Sequence, residues 1–407
     1  MNRPTSLYIS YDGLLEPLGR SQVLSYVEGL AEGGLRFIVL TFEKPADLAR
    51  TDEIARLRAR LAARRIRWVP LRYHKAPSVP ATAWDILRGA AAAAWLAWRA
   101  RVRVIHCRSY VPGLMGLAAR AAARARFIFD MRGFWPEERV EGGLWPPDGR
   151  LFRTAKRVER RLLGAADAVI VLTEPARRIV QNGAYHAALS PRARVTVIPC
   201  CVDLDRFAAP NVWQADPRGA GPRTLVYAGS VGTWYMLREM LDFHRAARAR
   251  DPELRLLILN RDRHDLITRA IEAAGAEGVS VTACTPDEVP GHLQRAWAGL
   301  AFIRPLFSKQ ASCPTKLGEY LAAGLPVVVN AGVGDVDEWL TAAGVGVIVQ
   351  RFEGGEYRKS WDTLVAMAGD AGLRARCREA ARDRFALADG VARYRAVYGA
   401  LLGAEPR

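Results

Sequence analysis

The chain has 407 residues, half of them hydrophobic, which is enough for two domains of ordinary size with buried cores. Its 59 Lys and Arg against 42 Asp and Glu give a net +17, pointing to anionic partners (nucleic acid, an anionic lipid surface or phosphorylated substrates) without choosing among them. Six scattered cysteines show neither metal-ligand spacing nor a disulfide framework, and no apolar run reaches the roughly 20 residues of a transmembrane helix. Strand-like Leu7-Tyr8-Ile9 follows the first residues at once and leaves no room for a signal peptide, so a soluble or peripheral cytoplasmic protein is expected.

Apolar, β-branched runs alternate with helical patterns throughout, which predicts an α/β chain with parallel sheets covered on both faces. In the first half the expected strands are Leu7–Ser10, Phe37–Phe42, Trp68–Leu71, Arg103–His106, Phe127–Asp130, Ala168–Leu172 and Val195–Ile198. In the second they are Leu225–Ala228, Leu254–Leu259, Val279–Ala283, Leu300–Ile303, Pro326–Val329 and Gly346–Val349. Phe207 to Arg223 is rich in Pro, Gly and Ala and lacks periodicity. The division therefore reads as a first domain over 1–206, a linker over 207–223, a second domain over 224–385 and a terminal helical segment over 386–407. Ligands of open parallel sheets collect beyond the carboxyl ends of the strands, so loops that follow strands are the first places to look for a site.

The loop after the first strand, Tyr11-Asp12-Gly13-Leu14-Leu15-Glu16-Pro17-Leu18-Gly19, leads into a helix expected from Arg20 or Ser21. Gly19, Arg20 and Ser21 would offer backbone donors and a cation at a helix start; the same loop is also a plain strand–helix turn. Further on, Trp84, Leu87, Ala91, Trp95 and Trp98 recur at helical spacing, with Arg88, Arg99, Arg101 and Arg103 nearby. The stripe suits an interfacial helix lying in an anionic headgroup layer, although such a stripe is more often the core-facing side of a helix. His106-Cys107-Arg108 ends a strand, where His106 and Arg108 share a face if the backbone stays extended. A lone histidine is ordinarily a buried, hydrogen-bonded one, but this position makes it a candidate.

Asp130-Met131-Arg132-Gly133-Phe134-Trp135-Pro136-Glu137 follows the next strand. Carboxylates and arginine grip sugar hydroxyls while aromatic faces cover the ring, so Asp130, Arg132, Trp135 and Glu137 are carbohydrate-site candidates. A surface turn with a salt-bridge cluster would have the same composition. The adjacent Cys200-Cys201 reads as a buried pair.

The stretch Ser312-Cys313-Pro314-Thr315-Lys316-Leu317-Gly318-Glu319-Tyr320, with Gly324-Leu325-Pro326-Val327 after it, gathers several signals. Pro314 is expected in the first turn of a helix capped by Ser312 or Cys313, and Gly324 supplies its left-handed terminator. Free N–H groups and the helix dipole favour an anion at that end, Lys316 adds a full charge, and Thr315 and Glu319 share a face one turn apart. A nucleotide diphosphate followed by its ribose would meet donors first and a carboxylate second. An ordinary helix start with a solvated glutamate also fits.

These residues resemble the nucleotide-sugar signature of family 4 glycosyltransferases. The resemblance implies a GT-B fold of two Rossmann-like, doubly wound domains facing an interdomain cleft. It also implies a retaining transferase that takes a sugar from a nucleoside diphosphate sugar and uses neither cofactor nor metal. By this resemblance Glu319 binds the ribose hydroxyls and Ser312, Pro314, Thr315 and Lys316 hold the diphosphate. Gly19 and Arg20 lie under the donor phosphates and beside the acceptor, with Asp12. His106 matches one of two family histidines, the second being Arg108 here, and one of the pair faces the donor sugar. The catalytic set is then His106, Arg108, Asp130 and Lys316. Relatives place an arginine and a lysine in the loop at Gly229-Ser230, where this chain has neither, so Lys316 with Lys309, Arg261 or Arg304 is the expected compensation. Another family glutamate, eight residues before Glu319, is Ala311 here. The family's Asn-Gly pair at the hinge entry is Cys200-Cys201. Relatives often send a last helix back to the first domain, and Val391–Leu402 is the segment that could do so.

The expected acceptor is a lipid-linked saccharide or cell-envelope glycan precursor, contacted by Asp12, Arg132, Trp135 and Glu137. An anionic membrane surface is the expected partner of residues 84–103, peripheral on the cytosolic face of the inner membrane. The competing readings are an epimerase or phosphorylase of the same fold, an inactive scaffold, and a basic nucleic-acid-binding protein. The last has no recognised binding motif in its favour, so no nucleic-acid partner is expected.

Overall fold

The structure is a computed structural model that describes residues 5–207, 222–261 and 263–403. The chain forms two compact units: Met1–Pro199 with Leu387–Arg407, and Cys200–Ala386. The first boundary falls before the expected 206 because the segment after Pro199 binds the second unit. Val202 N–H donates to Phe385 O at 2.7 Å, and Cys200 N–H reaches Cys313 Sγ at 3.4 Å. The expected linker over 207–223 lies almost wholly outside the described residues.

The first unit holds a seven-stranded parallel sheet in the order β3-β2-β1-β4-β5-β6-β7. Its strands are β1 Thr5–Ser10, β2 Arg36–Glu43, β3 Ile66–Arg72, β4 Val104–Arg108, β5 Arg126–Asp130, β6 Ala168–Val171 and β7 Arg194–Val197. The second unit holds a six-stranded parallel sheet in the order β10-β9-β8-β11-β12-β13. These are β8 Thr224–Ala228, β9 Arg255–Leu259, β10 Val279–Thr282, β11 Ala298–Ala301, β12 Val327–Asn330 and β13 Gly346–Val349. Register is fixed by near-continuous apolar runs buried on both faces, as in Leu7↔Ile38 and Leu7↔Ile105 or Val328↔Leu300 and Val328↔Val347.

Strand order reverses beside β1 and β4 in one unit and beside β8 and β11 in the other. At those points the loops on either side diverge and leave room for a ligand. Right-handed crossovers put the first unit's helices into two layers. Helices α1 Ser25–Glu32 and α2 Thr51–Ala63 lie on one face. On the other lie α3 Ser78–Arg99, α4 Tyr110–Ala123, α5 Trp135–Glu141, α6 Arg150–Ala165 and α7 Gly183–Ala188. In the second unit, α8 Thr315–Ala322 follows β11 through a short 3-10 turn, Phe307–Ala311. The last helix, α9 Leu387–Leu402, packs against α1 in the first unit.

Candidate functional site

In the second unit the loops after β8, β11 and β12 surround the start of α8. Pro314, with φ −68° and ψ 116°, stands just before the first helical residue instead of inside the first turn, and no side chain caps the helix. The N–H groups of Thr315 and Lys316 precede the first i→i−4 bond and are unsatisfied by the helix itself. Tyr320 fixes α8 to the sheet, its hydroxyl accepting from Ala228 N–H at 2.7 Å, and its ring occupies the space a side chain at Gly299 would need.

Lys316 is the chemical centre of this edge. Its Nζ lies 4.0 Å from the Tyr227 ring centroid and 3.9 Å from that of Tyr235. It is buried and has no hydrogen-bond partner among the described residues. Burial pushes its pKa down to about 7, with Glu319 opposing the shift. Gly229 makes this position possible: its φ is +136°, and a Cβ there would fall 2.8 Å from Lys316 Nζ. Asn260 pins the same loop, donating from Nδ2 to Gly229 O at 2.8 Å.

One turn into α8, Glu319 is half-buried. Burial raises its pKa, with Lys316 and Arg206 pulling the other way. Ser312 borders the helix start, Ser230 is exposed on the glycine loop, and Ala311 is buried. The three expected compensating cations separate. Lys309 Nζ stacks 3.9 Å from the Trp234 ring centroid of the glycine loop, and Lys309 O accepts from Gly334 N–H at 2.8 Å. Arg304 is exposed at the rim, its N–H donating to Trp234 O at 2.9 Å. Arg261 is exposed beyond β9, one strand further out.

In the first unit the order reversal brings Asp12 and Arg108 together, Arg108 Nε lying 3.4 Å from Asp12 Oδ2. Arg132 joins them from the end of β5 in a left-handed conformation, φ 61°, a strain that the surrounding structure must hold in place. Its Nη2 donates to Gln22 Oε1 at 3.4 Å. Gln22 belongs to a π-helical turn, Arg20–Leu24, a rare element that often marks a functional site.

Several expected roles change here. His106 and Asp130 are buried where α9 returns over the end of β4. His106 Nδ1 pairs with Tyr398 Oη at 2.9 Å, and Tyr394 Oη donates to Asp130 Oδ2 at 2.8 Å. Burial lowers the His106 pKa, while Arg132, His106 and Arg108 outweigh burial and hold Asp130 below the ordinary carboxylate range. The pair is a neutral imidazole beside an ionised carboxylate in the core.

Arg20 is drawn away by an ion pair with Glu53 on α2. The helix also opens earlier than expected, at Pro17, so Ser21 bonds back to Pro17 O at 3.0 Å and Gly19 is buried against Gly13 O. Glu137 turns inward, accepting from Lys156 at 2.7 Å and from Tyr185 at 3.2 Å. That is an ion-pair cluster of the kind the same composition allows. Trp135 packs on Tyr110 and Trp145, with centroids 5.6 and 5.1 Å away, beneath Arg139.

Residues 19–201 match the family model of the glycosyl transferase 4-like domain. This part of the chain is a glycosyl transferase 4-like domain, and the two parallel sheets together have the GT-B fold. Similar solved structures include a sucrose-phosphate synthase from Thermosynechococcus elongatus, with 17% identity, TM-score 0.74, and 99% of this chain and 100% of that one covered. HepE from Anabaena, solved with UDP and glucose, has 15% identity and TM-score 0.68 over 98% and 100%. A glycosyltransferase from Rickettsia africae has 13% identity and TM-score 0.69 over 100% of each chain. Among curated proteins, none matches the chain.

From the sequence no role was assigned to Tyr227, Tyr235 and Trp234, whose rings face Lys316 and Lys309, or to Gln22, which accepts from Arg132. The tyrosines bracket the Gly229-Ser230 loop, so aromatic spacing around a phosphate-type loop was the available signal. Glu43 was also missed: it is buried and accepts from Leu14 N–H at 2.8 Å and Thr41 Oγ1 at 2.7 Å, which shapes the Asp12 loop.

Proposed function

We propose that this glycosyltransferase takes a sugar from a nucleoside diphosphate donor and gives it to a saccharide or lipid-linked saccharide acceptor, with retention of configuration. The observation that carries this reading is the start of α8. There, Lys316 is buried with no hydrogen-bond partner among the described residues, on the first turn, whose N–H groups the helix itself leaves free, and Glu319 follows one turn later. The N–H groups of Thr315 and Lys316 would bind the diphosphate, and the ammonium would neutralise charge as the glycosidic C–O bond to phosphate breaks. Glu319 accepts from the ribose hydroxyls, and Lys309 and Arg304 supply further positive charge. That HepE was solved with UDP and glucose supports a donor of this class.

In the first unit Asp12, Arg108 and Arg132 would grip the acceptor, above His106 and Asp130. The exposed stripe of α3 supports contact with an anionic bilayer, where a lipid-linked acceptor would be found and where a cytoplasmic enzyme would work as a peripheral protein. No helix among the described residues is long and apolar enough to cross a membrane.

A thermal-shift series with UDP-, GDP-, ADP- and dTDP-sugars tests the donor assignment, since a ligand that binds only the folded chain raises its melting temperature. One nucleotide family should stabilise the protein in a dose-dependent way. Stabilisation by none of the four would end this reading, and conversion of the donor sugar without any acceptor would make the protein an epimerase. The anomeric configuration of the product, followed by NMR from the first turnover, tests retention.

A further inference from the structure

Helices α3, α4 and α6 lie side by side on one face of the first sheet, α3 against α4 and α4 against α6. The contacts are close: a side chain at Gly89 would meet Met115, and one at Gly113 would meet Leu162. The outward faces of α3 and α6 carry complementary chemistry. On α3, Trp84, Leu87, Trp95 and Trp98 are 55, 64, 53 and 65% exposed, and with Ala91 they fall within about 80° of one another around the helix axis. On α6, Arg150, Arg153, Arg157, Arg160 and Arg161 are all exposed, within about 100°. None of the five makes an ion pair with a described residue.

The acidic side chains explain the sign of this surface. The three helices contain only two carboxylates, Asp85 and Glu159, and both are buried. Asp85 accepts from Tyr11 Oη at 2.9 Å and lies 2.6 Å from His74 Nδ1, while Glu159 is bound by Tyr110 and Lys156. Elsewhere in the unit exposed arginines do have partners, as with Arg60 on Glu28 and Arg50 on Glu53. Leu144 and Leu151 are exposed where α6 begins. A cavity of about 280 Å³ opens beside the arginines, lined by Arg153, Arg157 and Arg160, by the Lys156–Glu159 pair and by Tyr185 among others.

We infer that the arginine ridge of α6 docks the protein on anionic phospholipid headgroups, with α3 as the apolar anchor of the same face. This extends the bilayer contact proposed for α3 and is independent of the transfer chemistry. Tryptophans seat at the headgroup level of any bilayer, but unpaired arginines add attraction only where the leaflet is negatively charged. The ridge therefore sets lipid selectivity and the tryptophans set depth.

Co-sedimentation of the full chain with phosphatidylcholine vesicles, alone or with phosphatidylglycerol, tests this across a salt series. The wild type should bind the anionic vesicles and release them as salt rises. Replacing the five ridge arginines by Gln should weaken anionic binding about 100-fold or more, replacing them by Lys should retain most of it, and nucleotide binding should be unchanged in both. R153E/R157E gives the same readout with only two changes. Equal binding of the wild type to both vesicle types, full binding by the Gln or R153E/R157E variants, or a ridge that captures nucleic acid and not vesicles would each overturn the inference. Loss of binding in W95S/W98S with the Gln variant unaffected would leave the α3 contact standing and remove the ridge. Failure of all donors in the thermal-shift series would leave the ridge untouched.

Discussion

Lys316 holds an ammonium in a site that favours the neutral amine. With its pKa pushed down to about 7 from 10.5, the folded chain sheds a proton that the unfolded chain keeps across that window. Stability therefore rises with pH between about 7 and 10.5. Lys316→Met, which removes the buried charge and keeps much of the volume, should melt at or above the wild-type temperature near pH 7. It should also bind nucleoside diphosphates at least tenfold more weakly, which calorimetry will read. A bound diphosphate favours the charged form, so wild-type affinity should fall with pH above about 7, with proton uptake visible as a dependence on buffer ionisation enthalpy. The Met variant should lose that dependence. Glu319→Gln should leave melting unchanged or higher, since burial already raises its pKa. It should cost roughly 1.5–3 kcal/mol of donor binding, the worth of hydrogen bonds to a charged group.

At this scale Pro314, Thr315, Lys316 and Glu319 were legible because a helix start and an i,i+4 pair are local in sequence. The tyrosine walls were not, since Tyr227 and Tyr235 reach Lys316 only through the pairing of β8 with β11. Glu137 and Trp135 misled for the converse reason. Their composition suited a sugar site, but Lys156, more than a helix away in sequence, had already claimed the carboxylate.

Among the elements, α9 changes the account most. It places Tyr394 and Tyr398 over Asp130 and His106, so that both candidates belong to a buried polar network. Both groups resist protonation: His106 is held below 6.5 and Asp130 below 3.8. The unfolded chain binds those protons first, so stability should fall as pH drops below about 6.5 and fall further in the acid range. Tyr394→Phe leaves an ionised carboxylate short of a donor and should cost roughly 1.5–3 kcal/mol in denaturant unfolding. The cost should shrink at low pH as Asp130 is protonated. The return of a terminal helix was suggested by family likeness, but nothing local in the sequence tells which tyrosines cover which strand end. The start of the first helix at Pro17 followed an ordinary N-terminal proline rule that the sequence reading applied at Pro314 but not here.

For the whole molecule, all thirteen strands lie within a few residues of their expected positions. Buried parallel strands are continuous β-branched runs bounded by polar turns, the least ambiguous pattern a chain can carry. Strand order carries no such mark, and it is order that brings Asp12 beside Arg108 and Tyr227 beside Lys316. The net +17 showed that an anionic partner was to be expected but not where. The structure concentrates unpaired arginine on α6 and exposed tryptophan on α3, so W95S/W98S should lower vesicle partition without changing donor affinity.

The start of α8 is the proposed seat of a sugar nucleotide. Its most direct test is calorimetric titration of the stabilising nucleoside diphosphate into the wild type, Lys316→Met and Glu319→Gln at pH 7. Saturable wild-type binding, weakened at least tenfold in each variant with all three proteins folded, is the predicted result. Equal affinity in the three proteins would contradict it.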